Sequence, residues 1–146
     1  MIIIAHRGNI NGPDIENENK PDYLINAINN NFYVELDLWK INEDLFLGHD
    51  KPQYMIKIDF LLKYSNKIFC HCKNISALHY LISNNIDIEY FYHNNDDCVL
   101  TSKNKIWTFP GKKITDKSIC VMPEIFNQNP ENCLGICTDY CKKYLI

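Results

Sequence analysis

Nine short segments rich in Ile, Val, Phe and Tyr recur along the chain, and no other pattern constrains the fold as strongly. They cover 2–5, 32–38, 45–47, 67–72, 86–92, 99–101, 106–109, 118–122 and 135–138, each of strand length and bounded by Asn, Asp, Gly or Pro. Helical stretches lie between several of them. Residues 21–31 open on Pro21 at a first-turn position and put Leu24, Ile25, Ala27 and Ile28 on one side. Residues 58–64 are a shorter candidate, 76–83 carry Ala77, Leu78, Leu81 and Ile82 at helical spacing, and 139–145 read as a closing helix. Strands alternating with helices predict a parallel α/β sheet. The stretch 38–47 differs, because Asn42-Glu43-Asp44 turns the chain back as a hairpin. Without that extension eight strands remain, the number a closed barrel needs. The expected fold is therefore a small (β/α)8 TIM-type barrel, one domain over residues 1–146. A typical barrel takes about 250 residues, so this one is trimmed. Helices are expected to be short or missing in the second half, where Val99, Ile106 and Ile119 lie close together.

The net charge of −3 and sequence pI near 5.9 leave no general basic stripe, which excludes a broad nucleic-acid binder but not a local phosphate site. No apolar run reaches the roughly 18 residues that span a bilayer, so stable membrane insertion is not expected. The apolar opening Met1 to Ala5 has no basic leader, and a cytoplasmic protein without a signal peptide is the expectation. Seven cysteines, an odd number, read as reduced thiols. Cys70-His71-Cys72 and the set Cys133, Cys137 and Cys141 are the two candidate zinc clusters, and neither has the C-x-x-C spacing of a structural site.

Polar residues gather at strand ends in the first half. His6 and Arg7 close the first strand; Glu35 and Asp37, two apart, share one face of the second; His49 and Asp50 follow the hairpin; His71 and Lys73, again two apart, end the third. In a parallel barrel such ends converge on one mouth. Two carboxylates with a neutral imidazole suit a divalent ion. Arg7 can hold a phosphate in bidentate fashion and Lys73 as a point charge. His6 and His49 titrate near neutrality, so one can accept a proton while the other donates one. Together these groups describe attack at a phosphodiester.

The ordered set His6-Arg7-Gly8, Glu18-Asn19, Glu35-Leu36-Asp37 and His49-Asp50 resembles the signature of the glycerophosphodiester phosphodiesterase family. The resemblance implies a metal-dependent phosphoric diester hydrolase acting on a small phosphodiester, with His6 and His49 as acid and base. It also implies that Glu35 and Asp37 bind the metal. The family has Glu-x-Lys on the third strand, and here His71 and Lys73 stand at those positions. His71 is accordingly read as a third ligand or a phosphate contact. Mg2+ or Ca2+ is the first expectation for the metal, and imidazole ligation shifts preference toward Mn2+ or Zn2+. Beyond Lys73 the resemblance thins, and His93, Trp107 and Glu124 are the expected substrate-lining residues. Two alternatives stand beside hydrolysis. One is a phosphodiester-binding module with weak or no turnover, and the other is a cyclising transferase similar to the phospholipase D toxins.

Overall fold

Strand alternation sets two faces, and the two faces carry two separate cores. The computed structural model describes residues 1–145. Its ten strands are β1 (Ile2–His6), β2 (Tyr33–Ile41), β3 (Asp44–Leu47), β4 (Tyr54–Ile56), β5 (Ile68–Cys72), β6 (Glu89–Tyr92), β7 (Cys98–Leu100), β8 (Ile106–Thr108), β9 (Ser118–Val121) and β10 (Gly135–Thr138). Three short helices accompany them: α1 (Pro21–Asn29), α2 (Ile58–Lys63) and α3 (Ile75–Ser83). On one face Ala5, Val34, Leu36, Leu38, Cys70 and Cys72 pack under Leu24, Ala27, Leu61, Ala77 and Leu81 of the helices. On the other, Ile4, Phe69, Phe91, Trp107, Ile119, Val121 and Cys137 meet one another. Phe69 on β5 and Trp107 on β8 stand far apart in strand order, yet their ring centroids are 6 Å or less apart at 5.9 Å. The sheet is therefore curled, with this second core on its concave side.

The main path runs β6-β5-β2-β1-β10-β9-β8-β7. Its neighbours are parallel except β7 and β8, which form a hairpin. Past Leu38, β2 leaves this sheet and pairs antiparallel with β3, so the expected hairpin is present, turned by Asn42 at φ 51°. β4 extends it as a third strand that the sequence reading did not include.

The architecture is a mixed sheet curled into a half-barrel, mostly β, and the (β/α)8 TIM-type barrel expected from strand count is not formed. Connection lengths explain this. A parallel crossover through a helix needs about a dozen residues or more. Five residues join β7 to β8 and nine join β8 to β9. The thirteen between β9 and β10 form only a 3-10 turn at Pro123–Phe126, with Pro123 in its first turn, and Pro130 bars its continuation. The closing helix expected over 139–145 is likewise only a 3-10 turn, Cys141–Tyr144. No ladder joins β6 to β7 among the described residues. The two ends are instead bridged by Tyr90 and Ser102: the Ser102 N–H donates to the Tyr90 carbonyl at 2.9 Å, and the Tyr90 N–H donates to the Ser102 hydroxyl at 2.9 Å. Below them Lys105 Nζ sits 2.6 Å from the buried Glu89 carboxylate.

No helix among the described residues is long and apolar enough to cross a membrane. Trp107, expected to line substrate, is 3% exposed and stacked on Phe91 with centroids 4.4 Å apart. It is a filler of the concave core, because the curl closes over it. Trp107→Ala is expected to cost about 3–5 kcal/mol in urea unfolding, as large aromatic truncations in cores do. A loss below about 1 kcal/mol would return Trp107 to the surface of a site.

Candidate functional site

Parallel register carries the polar strand ends to one rim of the concave face. β1 aligns His6 with Glu35 on β2, and β2 aligns Asp37 with His71 on β5. His71 in turn lies opposite Phe91 on β6. These side chains crown the concave core, above Ile4, Phe69 and Phe91 of the same strands.

Glu35 and Asp37 are buried, at 3% and 0% exposure, as expected of acids pointing inward. Glu35 Oε2 accepts the Arg7 backbone N–H at 3.1 Å. Arg7 reaches that position with φ 53°, a left-handed conformation that Gly8 continues. Asp37 is held by Asn19, whose amide donates to Oδ2 at 2.9 Å and whose carbonyl accepts the Asp37 N–H at 3.0 Å. Its other oxygen, Oδ1, is 3.1 Å from His71 Nδ1 and 3.8 Å from Lys73 Nζ, but the alignment leaves it without a hydrogen-bond partner. One donor atom from each of Glu35, Asp37 and His71 lies within 4.8 Å of the others. Buried polar atoms are almost always paired. An orphan carboxylate oxygen facing a second carboxylate and an imidazole therefore fits a divalent cation.

The two carboxyls are pushed apart in acidity. Burial and the Asp37 charge raise Glu35 above the usual carboxylate range. Burial acts the same way on Asp37, but His71 and Arg7 outweigh it and hold Asp37 low. The Arg7 guanidinium is engaged at one nitrogen, NH1 donating to Glu18 at 3.0 Å, while its buried Nε lies 3.4 Å from Asp37 without a hydrogen-bond partner. Lys73 is closer to free, with its ammonium at the edge of the acids.

His6 Nδ1 and Asp139 Oδ1 are 2.8 Å apart. Burial opposes charge on His6, while Asp139 and the Glu35 charge overcome it, so the imidazole is held above its ordinary value. Asp139 directly follows β10; the sequence places Thr138-Asp139 at a strand end on the same mouth but assigns Asp139 no role. Asn9 was missed altogether. Fully buried, it donates to Glu18 at 2.9 Å and to Asp139 at 2.8 Å, and accepts from Tyr23 at 3.1 Å and from the Asp14 N–H at 3.2 Å. This one amide ties the His6 support to the Arg7 support.

His49 enters from the loop after β3. The Gly48 N–H donates to the Asp37 carbonyl at 3.1 Å, and the Trp39 indole N–H donates to the Gly48 carbonyl at 2.6 Å. His49 then lines a cavity of about 220 Å3 with Arg7, Ile15, Glu18, Asn19 and Asp50. Burial and the Arg7 charge lower its pKa, and its Nδ1 lies 2.8 Å from Asp50.

His93 also reaches the rim. Its ring packs nearly parallel to His71, 4.5 Å between centroids, and lies 4.0 Å from Phe109. Burial and the neighbouring His71 lower it to about 4, and Nδ1 is 2.9 Å from the Asn94 carbonyl. Glu124 is not brought to the rim. It hydrogen-bonds the Thr138 hydroxyl, and Thr138 lies in register with Ala5, whose side chain faces the helices. The wrong expectation came from treating 122 as a strand end aimed at the mouth, whereas Met122 adopts φ 47° and turns the chain away. The cysteines gather into no metal-ligating group among the described residues; the one such group is Glu35, Asp37 and His71.

No protein-family model, curated protein or solved structure matches the chain.

A raised Glu35 pKa means its charged form is disfavoured by folding. Its contribution to stability is present at low pH and lost as pH rises through the folded value. Glu35→Gln is therefore expected to raise the urea midpoint of metal-free protein at pH 7 while abolishing divalent-ion binding. A lowered midpoint would mean that the acid is stabilising on its own. Asn9→Ala is expected to cost about 1–3 kcal/mol, because it strips partners from buried groups. An unchanged urea midpoint would remove Asn9 from the support of the site.

Proposed function

We propose that this chain is a metal-dependent phosphodiester hydrolase resembling the glycerophosphodiester phosphodiesterases. The reading rests chiefly on the orphaned Asp37 Oδ1 between Glu35 and His71, beside two histidines whose acidities are driven in opposite directions. Opposed shifts of this kind separate an acid from a base. His49, held low, is neutral at pH 7 and takes the proton from the attacking hydroxyl. His6, held high by Asp139, carries the proton that goes to the departing alkoxide. Lys73 draws the phosphate to the rim, and Arg7 adds its charge from within its contacts to Glu18 and Asp37. A divalent ion on Glu35, Asp37 and His71 would supply positive charge to the phosphoryl oxygens. Asp139 orients His6, and Asn9 orients Asp139.

The hydroxyl that His49 deprotonates for attack on phosphorus is either water or a neighbouring hydroxyl of the substrate. Phosphorus NMR of the product separates the two, since only the second route gives a cyclic phosphate. A binding module without turnover draws support from the Arg7 guanidinium, which spends contacts on Glu18 and Asp37.

The deciding experiment incubates purified protein with glycerophosphocholine and with bis(p-nitrophenyl) phosphate, with Mg2+, Ca2+, Mn2+, Zn2+ or EDTA. Metal-dependent release is expected, and His6→Ala or His49→Ala is expected to lower it by about 100-fold or more. Folded protein with no turnover under any metal would favour the binding module. The pH profile carries a further sign. Rate should fall in acid as His49 takes a proton and in alkali as His6 loses one, with the optimum between the two. Asp139→Asn withdraws the support that raises His6, so the alkaline limb should move to lower pH. An unmoved limb would assign that limb to another group.

A further inference from the structure

We infer that the centre formed by Glu35, Asp37 and His71 selects a borderline first-row ion, Mn2+ or Zn2+, over Mg2+ and Ca2+, and that His71 is the residue that makes the choice. This rests on the reading of those three residues as a metal centre and goes beyond it to the identity of the ion.

Three observations carry it. First, the donor set is two carboxylates and an imidazole, all on the walls of a buried rim. Hard ions take oxygen ligands and keep their waters, whereas imidazole nitrogen suits ions later in the first row. Second, the attraction that a hard ion depends on is already partly spent. Arg7 Nε lies 3.4 Å from Asp37 and Lys73 Nζ 3.8 Å, so two fixed positive charges face the two acids. An ion held there gains less from charge alone, and the nitrogen lone pair counts for more. Third, His71 is not free to swing away. Its ring packs nearly parallel to Phe91, at 5.2 Å and 14°, and to His93, at 4.5 Å and 16°, with Nδ1 turned to the acids. The orphaned Asp37 Oδ1, on a residue with no exposed surface, is aimed into the same space. A nitrogen fixed in place beside an unpartnered oxygen is a donor pair made ready in advance.

Titration calorimetry of metal-free protein with MnCl2, ZnCl2, MgCl2 and CaCl2 tests this without any substrate. Mn2+ and Zn2+ are expected to bind about ten-fold or more tightly than Mg2+ and Ca2+, in line with donor preference. His71→Glu is expected to shrink that ratio by about ten-fold or reverse it. Electron spin-echo spectroscopy of the Mn2+-loaded wild type should show directly bound nitrogen, and His71→Glu should lose the signal. Equal affinities for the four ions, an unchanged ratio in His71→Glu, or bound Mn2+ without nitrogen coupling would each overturn the inference. The wild-type spectrum and affinities decide the matter even where His71→Glu does not fold. Selective binding without hydrolysis would sink the proposed activity and leave this inference standing. Hydrolysis with Mg2+ bound as tightly as Mn2+ would do the reverse.

Discussion

Everything at the rim depends on β2, a strand with opposed demands on its two faces. Val34, Leu36 and Leu38 bury themselves under the helices, and that apolar row fixes which way the strand faces. Glu35 and Asp37 must then point into the concave side, where no bulk water compensates them. A single-residue slip would reverse both faces at once. The apolar face thus holds two acids in a place they would not choose, and the neighbours of β2 answer them. β1 brings His6 and the Arg7 N–H, while β5 brings His71 and Lys73.

Satisfaction of that rim is asymmetric. Glu35 and the outer oxygen of Asp37 are met by a backbone N–H and an asparagine amide, while Arg7 Nε, 3.4 Å from that oxygen, is itself buried without a hydrogen bond. The inner oxygen of Asp37 is met by nothing that aligns. A fold selected only for stability would fill such a place with a leucine, since burying acids costs several kcal/mol unless they are paired. The local rule is broken where chemistry is proposed and kept almost everywhere around it.

Much of the first half was legible because its signals are short-range. Alternation in Val34-Glu35-Leu36-Asp37-Leu38 gives the faces of β2, and Asn42-Glu43 gives the hairpin. The gathering of His6, Glu35, Asp37 and His71 follows from parallel register, which strand order alone made readable. The second half was not legible in the same way. Counting apolar segments does not distinguish a barrel strand from a hairpin strand such as β7, nor does it show that the connections after β7 and β8 are too short for helices. Trp107 and Glu124 were misjudged because each lies near a strand end, and only the curl and the turn at Met122 decide which way it faces. Asn9 could not be found by type, because asparagine is common in this chain. Six of the eight non-glycine residues with positive φ among those described are Asn, serving turns where glycine is scarce. Its role at the rim rests on burial and four contacts.

The seam between β6 and β7 gives the molecule a grain. Around most of the curl, neighbouring strands share a backbone ladder, but here the join is two hydrogen bonds between Tyr90 and Ser102, one from the Ser102 hydroxyl to the Ile88 carbonyl at 3.2 Å, and the contacts of Thr101 and Lys105 to Glu89. Partial opening favours places with few backbone bonds. Breathing would start there, with only β5 between β6 and β2, and would wet Phe91 and Trp107 before it reached the acids. The floor of the rim is thus its most yielding part, while the strands that hold His6, Glu35 and Asp37 belong to the stiffest.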